Sequence, residues 1–561
     1  MVFLNSRTDP YVGPSVAKDS TTQFSVETCS KVELAVHNGI ATIPAFKQSR
    51  RTMAVVPDRQ TFFEQAKQGN LVPVWKEVLA DQETPVSAYE RVRTYLRERD
   101  NASHTYLLES VEGGENIGRY SFIGGTPRTI LRAYGRRVEI DTVGEAQQVI
   151  EDIDPLDALK NHMAQFAPVV DDPSLPRFIG GAVGFLGYDM ISQFEPRVPT
   201  IGNDEIGNPD MVFMVTDGLI VFDRVNHNLK IVANAHIEDD PNEAYDKALV
   251  QIDELCEALR TPIERVLIDT LDEVDPLEPK SNTTKEEYLE MVGRVQEYIR
   301  SGDVIQTVIS QRFEVENKAD SLDVYRALRS INPSPYMFCL DMGESAIVGT
   351  SPEIHVRCED KKVEVRPIAG TRPRGMTPEE DLALEKDLLA DPKERAEHIM
   401  LVDLGRNDIG RVCEFNSVEV PDLMVIERYS HVMHIVSDVT GTLADEHDEY
   451  DVMRASFPAG TVSGAPKIRA MEIIAELEKS KRGPYAGAVG YFNYNGNFDS
   501  AITIRTVILD KDKAYVQAGA GIVADSVPIN EYEETRNKAR GMMKALALAK
   551  HYYAARGNSK S

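Results

Sequence analysis

Cysteine is scarce in this chain: five residues in 561, Cys29, Cys256, Cys339, Cys358 and Cys413, odd in number and widely spaced. Without a Cys-x-x-Cys pair or a Cys/His cluster, neither a disulfide framework nor a thiolate zinc site is indicated, and a reducing compartment fits. No run of 18 apolar residues exists to span a bilayer, and the N-terminus lacks the apolar stretch of a secretion signal. Residues 1–55 are rich in Ser and Thr, but Asp9, Asp19, Glu27 and Glu33 are acids of the kind that organelle transit peptides avoid. The expectation is a cytoplasmic protein with a poorly ordered N-terminal extension. Positive charge is also short: 62 Lys and Arg against 90 Asp and Glu leave a net charge of −28. Such a chain repels nucleic-acid backbones and anionic lipid, so neither is an expected partner. A small anionic metabolite stays compatible, because a local site answers to groups within a Debye length, roughly 8 to 10 Å.

What is present is ample core material, 42% apolar residues in a length that exceeds one growing hydrophobic core. Residues 81–235 alternate short β-prone runs (HTYLLESV, RYSFIGG, RTILRAYG, MVFMVTDGLIVFDRV) with Gly, Asn and Asp turns, a pattern of antiparallel strands rather than parallel βαβ units. The glycines of FIGGAVGFLGYD (178–189) do not match G-x-G-x-x-G, and a Gly-rich, bulged strand is expected there instead of a dinucleotide loop. Residues 236–282 read as one amphipathic helix and an acidic, Pro-containing linker. After it, Thr283 and Glu286 predict a capping box, Tyr288, Met291, Val292, Val295, Tyr298 and Ile299 share one helical face, and Gly302 ends the helix. Residues 304–315 (VIQTVISQRFEV) follow as a buried strand, and the mixture beyond predicts an α+β fold. The organisation expected is therefore an extension (1–55), an N-terminal region (56–235), a helix and linker (236–282) and a catalytic domain (283–555).

Two acidic pairs stand out in the C-terminal half. Asp391 and Pro392 predict a helix start that places Glu394 and Glu397 on one face, and Pro528 starts a second helix with Glu531 and Glu534 similarly placed. Together they could form an oxygen cage for Mg²⁺, a hard cation that takes one or two carboxylates, waters and a substrate oxyanion. Spacing alone is weak support, since most acidic i,i+3 pairs in so acidic a chain are solvated helix faces.

Six stretches, taken in order, carry more: GTSPE (349–353), RPIAGTRPRG (366–375), KERAEHIMLVDLGRND (393–408), YSHVMH (429–434), FPAGTVSGAPK (457–467) and AGAGIVADSVPINEYEETRNKA (518–539). Together they resemble the chorismate-utilising enzymes, over about residues 60 to 550. The resemblance implies two large antiparallel sheets packed face to face with helices outside. It implies Mg²⁺ on Glu397 and Glu534, supported by Glu394 and Glu531, holding the ring carboxylate of chorismate. Arg505, Tyr485 and the backbone of Gly519, Ala520 and Gly521 would take the enolpyruvyl carboxylate, with Gly370, Thr371, Thr461 and Lys538 completing the substrate contacts. Glu353 would protonate the departing 4-hydroxyl and His434 would assist departure or pyruvate elimination, His431 and His398 being the structural alternatives.

Two positions narrow the chemistry that the resemblance implies. Gln306 stands where water-using members carry a lysine base, and Ala369 stands where many aminodeoxychorismate synthases carry a lysine nucleophile; neither amide nor methyl supports those reactions. What remains is addition of ammonia and release of pyruvate to give anthranilate, the entry to tryptophan synthesis. The alternatives are the folate-branch amination that keeps the enolpyruvyl group, and a silent tryptophan sensor. No G-x-C-x-G glutaminase signature occurs, so ammonia is expected from a separate glutamine amidotransferase subunit, component II. Finally, LLES (107–110) and NPSPYMF (332–338) resemble a feedback site for tryptophan as inhibitor, formed by Glu109, Ser110, Asn332, Pro333, Ser334, Tyr336 and Met337.

Overall fold

The computed structural model describes residues 55–111, 118–263, 274–429 and 432–559. The expected N-terminal extension and His431 lie outside the described residues. Two twelve-stranded sheets dominate, and every pairing between their strands is antiparallel. The first sheet runs, in spatial order, through Leu71–Leu79, Asn228–His236, Gly218–Asp223, Tyr120–Gly125, His104–Glu109, Tyr336–Met342, Ser345–Ser351, Thr506–Asp510, Lys513–Ile522 and Gln306–Glu316. The second centres on Ile354–Glu359, Phe498–Ile502, Ala488–Asn493, Gly181–Leu186 and Met211–Thr216.

Alternation along these strands sends one set of side chains inward. Phe122, Leu219, Phe338 and Ile347 of the first sheet meet Phe185, Met214, Val489 and Tyr491 of the second in a single apolar layer. The outer face of the first sheet is covered by helices Pro85–Asp100, Pro241–Ala258, Ser321–Ile331 and Pro528–Ser559. The second is covered by Pro155–Met163, Pro392–Ile409 and Glu449–Ser456, whereas Lys467–Leu477 packs on Gln306–Glu316 of the first. The α+β class and the face-to-face sheets are as expected from the sequence. Both sheets draw strands from both halves of the chain: His104–Glu109 pairs with Tyr336–Met342, and Gly181–Leu186 with Ala488–Asn493. Residues 53–561 accordingly form one unit. Among the described residues no helix is long and apolar enough to cross a membrane.

Two local expectations are corrected. The capping box lies one residue later, at Thr284 and Glu287, because Thr284 is the residue with extended backbone that receives the Glu287 N–H; the helix Lys285–Ser301 then ends on left-handed Gly302 as expected. Gly181–Leu186 is a fully buried strand in unbroken register on both sides, without a bulge. Helices Pro85–Asp100 and Pro155–Met163 also interrupt the run of strands read between residues 81 and 235; their Thr84 and Asp154 caps and following prolines were the available signals.

Candidate active site

The chain crosses between the sheets several times, and two neighbouring crossings build a cavity. Strand Ser345–Ser351 of the first sheet continues into Ile354–Glu359 of the second with only Pro352 and Glu353 between; Phe498–Ile502 returns to Thr506–Asp510 through Thr503, Ile504 and Arg505. Ile502 N–H donates to the Glu353 carbonyl at 3.1 Å, which locks the two crossings together. Arg505 accepts a left-handed backbone (φ 53°) to make its turn, a strained state for a residue with a β-carbon. The cavity beside these crossings measures about 480 Å³ and is lined by polar and apolar groups.

Every catalytic and metal-binding residue expected from the sequence borders this cavity: Glu353, His434, Gln306, Glu394, Glu397, Glu531 and Glu534. So do Gly370, Thr371, Thr461, Tyr485, Arg505, Gly519, Gly521, Lys538 and the discriminating Ala369. Ala520 does not; strand alternation turns its methyl into the core with Ile309, Ile522 and Tyr288. Lys393 and Gln517 line the wall as well without having been singled out, although Lys393 directly precedes the first acidic pair in KERAEH. His398 is buried and bonded through Nε2 to Ser437 Oγ at 2.6 Å, a core histidine on the helix face away from that wall.

Burial pushes the Glu353 carboxyl up to about 8, against the Thr461 hydroxyl, the Ile368 N–H and the charge of Lys538, which favour its ionised form. Thr461 Oγ1 donates to Glu353 Oε1 at 2.6 Å, leaving Oε2 to carry the acid proton. His434 is held by a β-bulge. The register between Ile368–Pro373 and Val432–Thr442 shifts at Gly370, whose left-handed φ of 70° aims its carbonyl at His434 Nδ1, 2.9 Å away. A carbonyl only accepts, so Nδ1 carries the proton and Nε2 is the lone-pair nitrogen; burial holds this imidazole below its usual range.

Arg505 interacts electrostatically with Tyr485 and Glu534 across the same cavity lining, and Tyr485 is raised to about 12 by burial, so its hydroxyl is a neutral donor. Lys538 pairs with Glu534 at 2.8 Å and donates to the Gly519 carbonyl at 3.1 Å. Glu394 and Glu531 are raised by burial, and each is raised further by the second carboxylate of its pair, Glu397 or Glu534. Among the described residues no three His, Cys, Asp or Glu side chains converge enough to hold a cation unaided. A cation that keeps its waters and shares a substrate oxyanion suits this arrangement of crowded acids better than a closed protein cage.

A family profile described as chorismate binding enzyme matches residues 103–544, the span that contains this cavity. The chain belongs to the chorismate binding enzyme family. Among members of the family, it is 50% identical to anthranilate synthase component 1 of Pseudomonas aeruginosa over 88% of this chain and 99% of the relative. It is 48% identical to the component 1 of Acetivibrio thermocellus over 86% and 97%. The crystal structure of anthranilate synthase component I from Streptococcus pneumoniae superposes with a TM-score of 0.67 at 42% identity, covering 77% of this chain and 95% of that one. The menaquinone-specific isochorismate synthase of Escherichia coli, at 16% identity and a TM-score of 0.62, shares the fold of the family.

A second, smaller cavity of about 50 Å³ lies between the sheets, away from the chorismate-family residues above. Of the residues expected at a feedback site it gathers Glu109, Ser110, Tyr336 and Met337, but not Asn332, Pro333 or Ser334. Asn332 caps helix Ser321–Ile331, and the Ser334 carbonyl accepts Val111 N–H at 3.3 Å, so this turn serves as a brace. The Glu109 carboxylate is already taken by Arg224, by Arg329 at 3.0 Å and by the Tyr325 hydroxyl at 2.6 Å. Ser110 Oγ is buried and has no hydrogen-bond partner among the described residues.

Proposed function

We propose that this chain is the synthase component that converts chorismate and ammonia into anthranilate, pyruvate and water. The observation that carries the reading is the assembly, in one cavity, of a protonated buried acid, a neutral histidine, two acidic pairs and a buried arginine, in a chain about half identical to proteins of that name. Mg²⁺ held by Glu397 and Glu534, with Glu394 and Glu531 in support, would supply Lewis acidity and a template for the ring carboxylate when bound. Arg505 and the Tyr485 hydroxyl bind and orient the enolpyruvyl carboxylate, beside the open backbone of Gly519 and Gly521. Ammonia forms the bond to C2 next to Gln306, whose amide can orient it but cannot deprotonate water. The ring double bond shifts, the C4–O bond breaks, and Glu353 Oε2 delivers its proton so that water leaves. Loss of the C2 proton then breaks the bond to the enolpyruvyl oxygen, the side chain departs as pyruvate and the ring becomes aromatic; His434 Nε2 is the lone pair at hand for a proton in this second half.

Ammonia would come from a component II glutaminase. The cavity opens, past Gln306, Lys393 and Glu397, into a depression of about 1490 Å³ flanked by exposed Ile305 and Ile399, and we assign this face to that partner. A cytoplasmic setting follows from such a soluble pathway. Tryptophan as inhibitor is assigned to the small cavity, which is too small for an indole until the end of strand His104–Glu109 parts from Tyr336–Met337. Its binding would thus favour one arrangement of the first sheet, and chorismate would weaken it in return. Ser110→Phe should abolish tryptophan sensitivity while sparing turnover, and unchanged inhibition would remove this assignment.

The test is product analysis of the purified chain with chorismate, Mg²⁺ and ammonium at mildly alkaline pH, with and without tryptophan. Equal amounts of anthranilate and pyruvate support the proposal. Aminodeoxychorismate without pyruvate moves the chain to the folate branch, and absence of turnover points to a silent sensor.

A further inference from the structure

Asp408 in GRND and Lys467 in GAPK do not border the substrate cavity, yet they form a deeply set ion pair between its supports. Lys467 Nζ lies 2.7 Å from Asp408 Oδ2, with side chains 10% and 7% exposed, and also donates to the Ser456 carbonyl at 2.9 Å. Asp408 sits near the end of helix Pro392–Ile409, whose first turns carry Glu394 and Glu397. Ser456 and Lys467 are the two ends of one segment. Its middle presents Thr461 to Glu353, and its Gly464 and Ala465 pair with Thr307 and Gln306. One ammonium therefore closes this segment into a loop and fastens both ends to the helix that bears the first acidic pair.

We propose that Lys467 is a positioning residue: clasped by Asp408, it sets the hydrogen bond from Thr461 to Glu353 and the place of that acid relative to the acidic pairs. This rests on the reading of Glu353 as the acid. Arg411 and His355 are the other titratable groups facing the pair. Burial disfavours both charges and each stabilises the other, so the clasp is strongest when both are ionised. Glu353 is faced by Thr461, the Ile368 N–H and Lys538; only Thr461 depends on the clasp. Because the Thr461 bond favours ionised Glu353, loosening it raises the acid further.

The experiment compares the full-length protein with Thr461→Val, Asp408→Asn and the double variant Lys467→Met/Asp408→Asn, which leaves no orphan charge if the clasp is removed. Thermal stability is followed across pH 4 to 10, a readout that requires no turnover. In the parent, stability is expected to fall with rising pH until about pH 8, where folded Glu353 ionises. The expected result is an upper end shifted to higher pH in Thr461→Val and the double variant, and by a smaller step in Asp408→Asn. It is accompanied by a kcat lower by about 10²-fold, with chorismate KM changed by less than about threefold. Failure of the double variant to fold leaves Asp408→Asn to decide. An upper end that moves in Thr461→Val but stays at the parent value in the clasp variants overturns the proposal, as does an unaltered kcat. Absence of anthranilate in the parent would instead overturn the assigned reaction while the stability curves still judge the clasp.

Discussion

Glu353 shows how burial keeps a carboxyl protonated and costs stability at once. Below about pH 4.5 the carboxyl is protonated in folded and unfolded chains alike and contributes nothing. Between about 4.5 and 8 only the unfolded chain ionises it, so the folded state loses stability as pH rises, by on the order of 4 kcal/mol by the upper end; above 8 the loss is complete. Glu353→Gln should therefore flatten that part of the stability curve, measured by thermal unfolding, and lower kcat by about 10²- to 10⁴-fold, as expected for removal of a general acid. Turnover in the parent should decline as pH passes about 8, where the acid form disappears. The SPE motif identifies this residue in the sequence. Its protonation state is not legible there, because it is set by burial between the sheets, opposed by Thr461, the Ile368 N–H and Lys538, and both depend on residues apart in the chain.

At the scale of elements, both acidic pairs were legible, because each follows a helix start with a proline in its first turn. With Mg²⁺ held as proposed, Glu394→Gln and Glu531→Gln should raise the Mg²⁺ concentration for half-maximal turnover by about tenfold to a hundredfold, the effect of removing groups that support a metal's ligands. A titration of activity with Mg²⁺ reads this out. Gly464 illustrates what spacing alone does not reveal. Its φ is 141°, and a β-carbon there would lie 2.2 Å from the Gln306 carbonyl oxygen, so the short strand can pair with Gln306–Glu316 only as glycine. Gly464→Ala should destabilise the protein by about 1 to 3 kcal/mol and lower kcat, checked by denaturant unfolding and steady-state kinetics. The capping box misplaced by one residue has a similar origin: Thr283 and Thr284 are each followed by a glutamate three positions on, and only packing selects between them.

For the whole molecule, the shared sheets make the halves interdependent. A fragment beginning at residue 283 would expose the edges of Tyr336–Met342 and Ala488–Asn493, which pair with strands near residues 104 and 181. Such a fragment should aggregate or stay unfolded on its own, and should regain soluble structure when co-expressed with residues 53–282; circular dichroism and sedimentation test both outcomes. The sequence by itself determined the antiparallel, two-sheet class, the helix starts, the family and most of the cavity's polar side chains, because periodicity, caps and motifs are local and survive without a fold. Only the tertiary structure decided that Ala520 faces the core, that Lys393 and Gln517 join the wall, that Glu109 is already bound by two arginines, and that Lys467 holds Asp408. Those facts depend on which strand faces which sheet and on contacts between residues far apart in the chain, and no local pattern encodes either.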